Sequence, residues 1–113
     1  MGLDFSHCEA RWSYSGFNNF RKKLANELGF NLNEMQGFGG SRKFNEIKDD
    51  IVYLLDHSDC DGHITAKRCA KVAPRLRELV KTWDNEDYDK IKALELAEGM
   101  ECAASMGEKL EFR

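Results

Sequence analysis

The stretch SYSGFNNFRKKLANELG, residues 13–29, decides the fold class of this chain. Its apolar side chains at positions 17, 20, 24 and 28 recur at the spacing of one helix face. Ser13 or Ser15 can cap the start of this helix, and Gly29 supplies its stop. The pattern predicts an amphipathic helix whose phenylalanine and leucine side chains pack into a core.

Three further stretches show the same helical period, and they cover residues 41–55, 65–83 and 84–107. Thr65 stands at the cap of the second of them, and Asp84 and Asp87 stand at the cap and third positions of the last. Pro74 is the only proline. Because it lacks an amide hydrogen and crowds the preceding turn, it predicts a kink or break near Ala73.

Both ends of the chain alternate apolar and polar residues, over residues 3–7 and 109–112. Such alternation is typical of half-buried strands, so the two terminal segments are expected to pair as a short β-ribbon. With 113 residues and 42% hydrophobic content, the chain fits one globular domain over residues 1–113. We therefore predict a mainly α, single compact domain of four to five helices.

Composition argues against several classes of protein. The formal net charge is -3, which gives no global field toward nucleic acid or an anionic membrane. No apolar stretch approaches the roughly 20 residues that span a bilayer, and the first residues do not resemble a secretory signal. Cysteines at positions 8, 60, 69 and 102 form no paired framework. We expect reduced thiols, a cytoplasmic location and no membrane partner.

Residues 57–63, HSDCDGH, carry the densest chemistry of the chain between two helical stretches. Imidazole, thiolate and carboxylate groups are the donors that zinc and other divalent metals prefer. The candidate metal ligands are His57, Asp59, Cys60, Asp61 and His63. A calcium loop is disfavoured, because Arg68 stands where a closing glutamate belongs.

The same loop has a structural interpretation, which the residue types favour. Side chains such as Asp59 and Asp61 accept backbone hydrogen bonds in tight turns, and Gly62 permits a left-handed turn. The loop would then connect two helices, with no cofactor required. Loops on rigid scaffolds also serve as recognition surfaces, so Asp59 and Asp61 are candidate contacts for a protein partner.

Aromatic and small polar residues alternate over residues 12–17, just before the first helix. Trp12 and Tyr14 are candidate partner-binding residues, since exposed aromatic side chains mark interfaces. The alternative is that both belong to the edge of the core.

Basic residues crowd the helix predicted over 65–83. Lys67, Lys71 and Arg75 follow four-residue spacing, so they share a face that would track phosphates. A solvated charged face is the favoured interpretation of this pattern, and nucleic-acid binding is kept as an alternative. Catalysis has little support, because no nucleophile and base are brought together by spacing alone.

Several segments together resemble a group of small proteins from bacteria and their phages that have no assigned activity. The segments are Trp12-x-Tyr14-x-Gly16-Phe17-x-x-Phe20-Arg21, the 57–62 loop, Ala73-Pro74-Arg75-Leu76-Arg77-Glu78 and Leu110-Glu111-Phe112. The resemblance runs over nearly the full chain and implies a bacterial or phage origin without carrying over any site.

The sequence thus predicts a small cytosolic protein-interaction module, a monomer or small homo-oligomer with an unidentified protein partner. Binding would involve the 57–63 loop, the aromatic 12–17 segment, or both. Metal binding at the loop and nucleic-acid binding at the basic helix are the alternatives.

Overall fold

The computed structural model describes residues 2–58 and 62–113, in which four α-helices and two small antiparallel sheets form one compact body. The helices are α1 (Tyr14–Glu27), α2 (Val52–Leu55), α3 (Ala66–Val80) and α4 (Tyr88–Met106), and the strands are β1 (Leu3–Asp4), β2 (Arg11–Trp12), β3 (His63–Ile64) and β4 (Leu110–Glu111). The radius of gyration is 13.1 Å, as expected for a compact chain of this length. The predicted mainly α, compact architecture is confirmed at this level.

Helix α1 forms as its sequence predicts. The Ser13 hydroxyl caps its first turn by accepting a hydrogen bond from the Gly16 amide at 3.0 Å. Phe17, Phe20 and Leu24 lie on the buried face with no exposed area. The chain leaves the helix through Gly29, whose φ of 86° is the left-handed conformation that glycine adopts without strain.

The helix predicted over residues 41–55 is wrong. Only a 3₁₀ turn, Phe44–Glu46, and the short helix α2 form there. Ile47 is extended, and the Asp49 carboxylate accepts the amide of Ile51 at 3.0 Å. This side-chain bond competes with helical hydrogen bonding, so the chain turns instead of continuing the helix.

The sequence predicts a kink or break near Ala73. No break forms, because α3 runs without interruption from Ala66 to Val80. Pro74 lies on the exposed face of α3, while Val72, Ala73 and Leu76 on the other face are buried. The pairing of α3 with α4 is the most extensive contact between elements of the fold. Burial of this face outweighs the one hydrogen bond that the proline removes.

Helix α4 begins with Asp87 as its cap, where Asp84 was expected, since the Asp87 carboxylate accepts the amide of Asp89 at 2.8 Å. It ends at Gly107, whose φ is 68°. The ammonium of buried Lys90 ties the preceding loop to this helix. It donates to the carbonyl oxygens of Lys81 and Trp83, at 3.2 and 2.9 Å, and to the Asn85 side chain at 2.7 Å.

The predicted terminal ribbon is divided between two sheets. Strand β1 pairs with β2 and strand β4 pairs with β3. The two terminal segments meet at an isolated antiparallel bridge between Phe5 and Phe112, where the amides of Ser6 and Arg113 donate to the carbonyl oxygens of Glu111 and Asp4. His7 has a φ of 68° and turns the chain back just after β1. That turn brings Trp12 opposite Leu3 in the register of the first sheet.

Candidate functional site

A cavity of about 590 Å³ opens between the first turns of α1, the loop after it and the end of α2. We call it the Tyr14 cavity. Its lining residues are mostly polar: Tyr14, Ser15, Asn18, Arg21, Asn33, Gln36, Gly37, Phe38, Asp56, His57 and Ser58. The aromatic 12–17 segment and the start of the 57–63 loop, which the sequence analysis treated as separate candidates, thus border one cavity.

Arg21 forms the floor of the Tyr14 cavity and is 3% exposed. One guanidinium nitrogen donates to the carbonyl oxygens of Leu55 and His57, at 3.2 and 2.5 Å. The guanidinium carbon lies 4.6 Å from the ring centroid of Phe17 and 5.0 Å from that of Phe38. Arg21 therefore holds the end of α2 and the glycine-rich loop over residues 37–40 against α1, which fixes the shape of the cavity.

Side-chain amides supply most of the hydrogen-bonding capacity of this cavity. Within residues 2–58 and 62–113, the carboxamides of Asn18, Asn33 and Gln36 make no hydrogen bonds. Each carries both donor and acceptor groups. Tyr14, which is 37% exposed, adds an aromatic ring at the rim.

His57 does not present a nitrogen to the Tyr14 cavity. Its Nδ1 lies 2.9 Å from the Ser58 carbonyl oxygen, and its Nε2 lies 3.0 Å from the His63 carbonyl oxygen. The ring stacks on Phe112 with centroids 3.9 Å apart. Gly62 has a φ of 91°, in agreement with the predicted left-handed turn. His57 thus links the two described ends of the loop to the C-terminal segment.

The metal-site prediction falls largely outside the described residues, where Asp59, Cys60 and Asp61 lie. His63 is exposed on β3. In the part of the chain that the structure describes, no three His, Cys, Asp or Glu side chains are grouped so as to hold a metal ion. The metal site stays a prediction, and so do the partner contacts assigned to Asp59 and Asp61.

Trp12 is not the exposed aromatic residue that partner binding requires. It is 4% exposed and stacks on Phe20, with ring centroids 4.7 Å apart. Its indole N–H donates to Asp89 at 2.9 Å. Trp12 sits on β2 opposite Leu3, so the pleat turns its side chain into the core. Of the two predicted aromatic contacts, Tyr14 alone remains available at the surface.

The predicted basic face of α3 is partly neutralised. The Arg75 guanidinium lies 2.8 Å from the Asp49 carboxylate and also pairs with Glu78. The hydrogen bond with Asp49 is the largest cause of the raised pKa of Arg75. Lys67 and Lys71 remain exposed. Two of the three predicted phosphate contacts are therefore accessible, and the third is engaged with carboxylates.

A second cavity of about 570 Å³ lies on the far side of Asp56 and His57, which border both cavities. We call it the Tyr53 cavity. The guanidinium carbon of Arg68 lies 4.5 Å from the ring centroid of Tyr53 in its wall. Neither residue is a binding candidate in the sequence, because Tyr53 sits in a stretch predicted as continuous helix and Arg68 enters only as one of the cations on α3 and as the residue that disfavours a calcium loop.

Of the thiols in the described residues, those of Cys8 and Cys69 are disfavoured as nucleophiles. Burial raises the pKa of the Cys8 thiol and that of the Cys69 thiol, which disfavours the nucleophilic thiolate.

Ser6 Oγ lies 2.7 Å from Nδ1 of His7, whose Nε2 lies 2.8 Å from Glu108. Ser6 is buried, and its oxygen accepts the Glu111 amide, so this array joins the two ends of the chain.

Comparison of the chain with protein-family models, curated proteins and solved structures gave no match. In the described residues, no helix is long and apolar enough to cross a membrane. The site is therefore interpreted from its own geometry.

Proposed function

We propose that this protein is a small interaction module that binds an extended polar segment of a partner protein in the Tyr14 cavity. The observation that carries the proposal is the set of three carboxamides around one cavity, from Asn18, Asn33 and Gln36, with exposed Tyr14 at its rim. Asn18 and Tyr14 lie on a rigid helix, and the other two amides flank a loop that Arg21 holds in place through Phe38.

Carboxamides suit a peptide backbone because each presents an N–H donor beside a C=O acceptor. An extended peptide offers the complementary acceptor and donor at every residue. A neighbouring tyrosine ring adds contact area at a small cost in conformational entropy. Recognition of this kind gives a wet, polar interface of moderate affinity, not a large apolar one.

The charges around the cavity argue against a phosphate-rich ligand. Its ionisable lining residues are Arg21, Asp56 and His57, and Arg21 already donates to two carbonyl oxygens. Nucleic-acid binding through exposed Lys67 and Lys71 is the alternative proposal. It differs in a measurable way, since phosphate contacts release counterions and make affinity fall steeply with added salt.

The resemblance to small bacterial and phage proteins implies a bacterial or phage origin and carries no activity over to this chain. We propose a cytosolic module of that type, with metal binding at the 57–63 loop as a further alternative. Native mass spectrometry of protein purified without chelator tests that alternative, and a stoichiometric metal adduct would support it.

The test is a selection of binding peptides from a displayed random peptide library on the full chain. Selected peptides are synthesised, and their affinities are measured by calorimetry for the wild type and for Asn18→Ala/Gln36→Ala. Each lost hydrogen bond removes about 0.5–1.5 kcal/mol, so we expect a loss of affinity of about tenfold or more. Asn19→Ala/Asn26→Ala is the matched control, because these exposed asparagines of α1 do not line the cavity.

Equal affinity of the two double variants would contradict the proposal, as would a library that yields no specific peptide. Both variants are expected to keep the wild-type melting temperature, since none of these four side-chain amides makes a hydrogen bond among the described residues. That control separates loss of binding from loss of folding.

A further inference from the structure

We propose that the Tyr53 cavity is a second subsite for the same partner segment, and that it takes a carboxylate side chain of that segment next to an apolar side chain. The proposal rests on the proposed function. It adds a requirement that the Tyr14 cavity alone does not impose, namely an acidic residue in the partner.

Arg68 is the organised charged group of this cavity. Its guanidinium lies over the Tyr53 ring with 4.5 Å between the guanidinium carbon and the ring centroid, and Tyr53 is itself half-buried. In the described part of the chain, the Arg68 side chain has no ion-pair partner. A guanidinium presents its N–H groups in a planar fork that can donate to both oxygens of one carboxylate.

The remaining walls fit an apolar side chain beside that carboxylate. Ile47 and Val52 are half-buried in the lining, and Phe44 and Ile64 lie behind them in the core. An aliphatic side chain placed here would cover apolar surface that the fold leaves partly open.

The other charges of the cavity are of both signs. Lys48 lines it and has no ion-pair partner among the described residues, so it adds to the attraction for a carboxylate. Asp49 is paired with Arg75. Asp50 and Asp56 are exposed, as Lys48 and Arg68 are, so solvent screens all four charges. The preference for a carboxylate therefore rests on the position of the Arg68 guanidinium over the Tyr53 ring.

Asp56 and His57 border both cavities and form the ridge between them. His57 holds this ridge in place, since its ring nitrogens lie within hydrogen-bonding distance of the carbonyl oxygens of Ser58 and His63 and its ring stacks on Phe112. An extended segment that lies in the Tyr14 cavity and crosses the ridge next meets Arg68. This adjacency places the acidic residue of the partner in the same short segment.

The experiment measures the binding of the selected peptides to Arg68→Ala and to Lys67→Ala. Lys67 is the neighbouring exposed cation on α3 and does not line the Tyr53 cavity. We expect peptides enriched in Asp or Glu, an affinity loss on the order of tenfold for Arg68→Ala and little change for Lys67→Ala. Replacing the acidic residue of the peptide by its amide should produce the same loss, and that loss should disappear in Arg68→Ala.

The outcomes separate the two proposals. Peptides that lose affinity for Asn18→Ala/Gln36→Ala but bind Arg68→Ala as tightly as the wild type would overturn the carboxylate subsite and leave the proposed function standing. Equal losses for Lys67→Ala and Arg68→Ala would also overturn it, because they would indicate a diffuse charge effect. A failure to select any peptide would overturn both proposals.

Discussion

Tyr14 and His57 border the same cavity, although one begins the first long helix and the other follows the shortest. Arg21 produces this juxtaposition, since it lies on the same face of α1 as Tyr14, two turns along, and donates to the carbonyl oxygen of His57. The arrangement joins the aromatic segment and the loop into one candidate surface. It also predicts which residues support the fold and which are available for binding.

Trp12 and Tyr14 should respond differently to truncation. Trp12→Ala removes a buried ring stacked on Phe20 and is expected to lower the free energy of unfolding by about 3–5 kcal/mol. Tyr14→Ala removes an exposed ring and should change it by less than about 1 kcal/mol. Urea unfolding measures both. Equal destabilisation would contradict the assignment of Trp12 to the core and Tyr14 to the surface.

Lys90 is expected to stabilise the fold through its three acceptors. Lys90→Met fills the same space but leaves the carbonyl oxygens of Lys81 and Trp83 without their donor. Loss of hydrogen bonds to a charged group should lower the free energy of unfolding by about 2–3 kcal/mol. Lys71→Met, at an exposed position on α3, serves as the control and should stay within about 0.5 kcal/mol of the wild type. A Lys90→Met protein as stable as the control would show that these bonds contribute nothing.

Stability at acid pH should depend on Lys23. The hydrogen bond from Lys23 is the largest cause that holds the pKa of Asp87 below its usual range. A depressed pKa in the folded state contributes stability above the unfolded pKa of about 3.9, and this contribution is lost as pH falls through the folded pKa.

Lys23→Met should therefore flatten the decline in unfolding free energy below about pH 4, relative to the wild type. Lys22→Met is the matched control, because Lys22 is adjacent and makes no ion pair among the described residues. The measurement is denaturant unfolding across a pH series. Parallel curves for the wild type and Lys23→Met would rule out this linkage.

Replacing Pro74 should make α3 more stable. Pro74→Ala restores an amide that can donate to the Ala70 carbonyl oxygen one turn earlier, at an exposed position where the methyl group meets no core atom. The free energy that the helix gains from alanine in place of proline exceeds the cost of the added conformational freedom of the unfolded chain. We therefore expect the free energy of unfolding to rise by about 1–2 kcal/mol. Thermal melts test this, with Lys71→Ala on the same helix as the comparison. A lower melting temperature for Pro74→Ala would show that the proline is needed for packing.

Sequence periodicity predicted those helices whose buried face is continuous. In α1 the phenylalanine and leucine spacing, the Ser13 cap and Gly29 all indicate the same helix, and it forms. In residues 41–55 the apolar spacing is helical, but the Asp49 side chain bonds to the local backbone and to Arg75. An ion pair with a residue far along the chain cannot be read from a local pattern, so this stretch was mispredicted.

The candidate site was only partly predictable, because it also depends on contacts between residues far apart in the chain. Tyr14 and the 57–63 loop stood out by composition, whereas Asn18 and Gln36 have no distinctive spacing. Their importance comes from sharing a cavity, which depends on how Arg21 docks the glycine-rich loop and the end of α2. Trp12 was predicted as a partner contact but lies in the core, because tryptophan is enriched at interfaces and is equally suited to a core.

The most direct test of the account is an amide chemical-shift titration of the isotope-labelled full chain with a peptide selected on the wild type. We predict that the largest shifts fall around Tyr14, Asn18, Gln36 and His57, which line the Tyr14 cavity, and extend to Arg68. Shifts confined to Lys67 and Lys71, or to the far end of α4, would contradict the claim that this cavity is where the protein binds its partner.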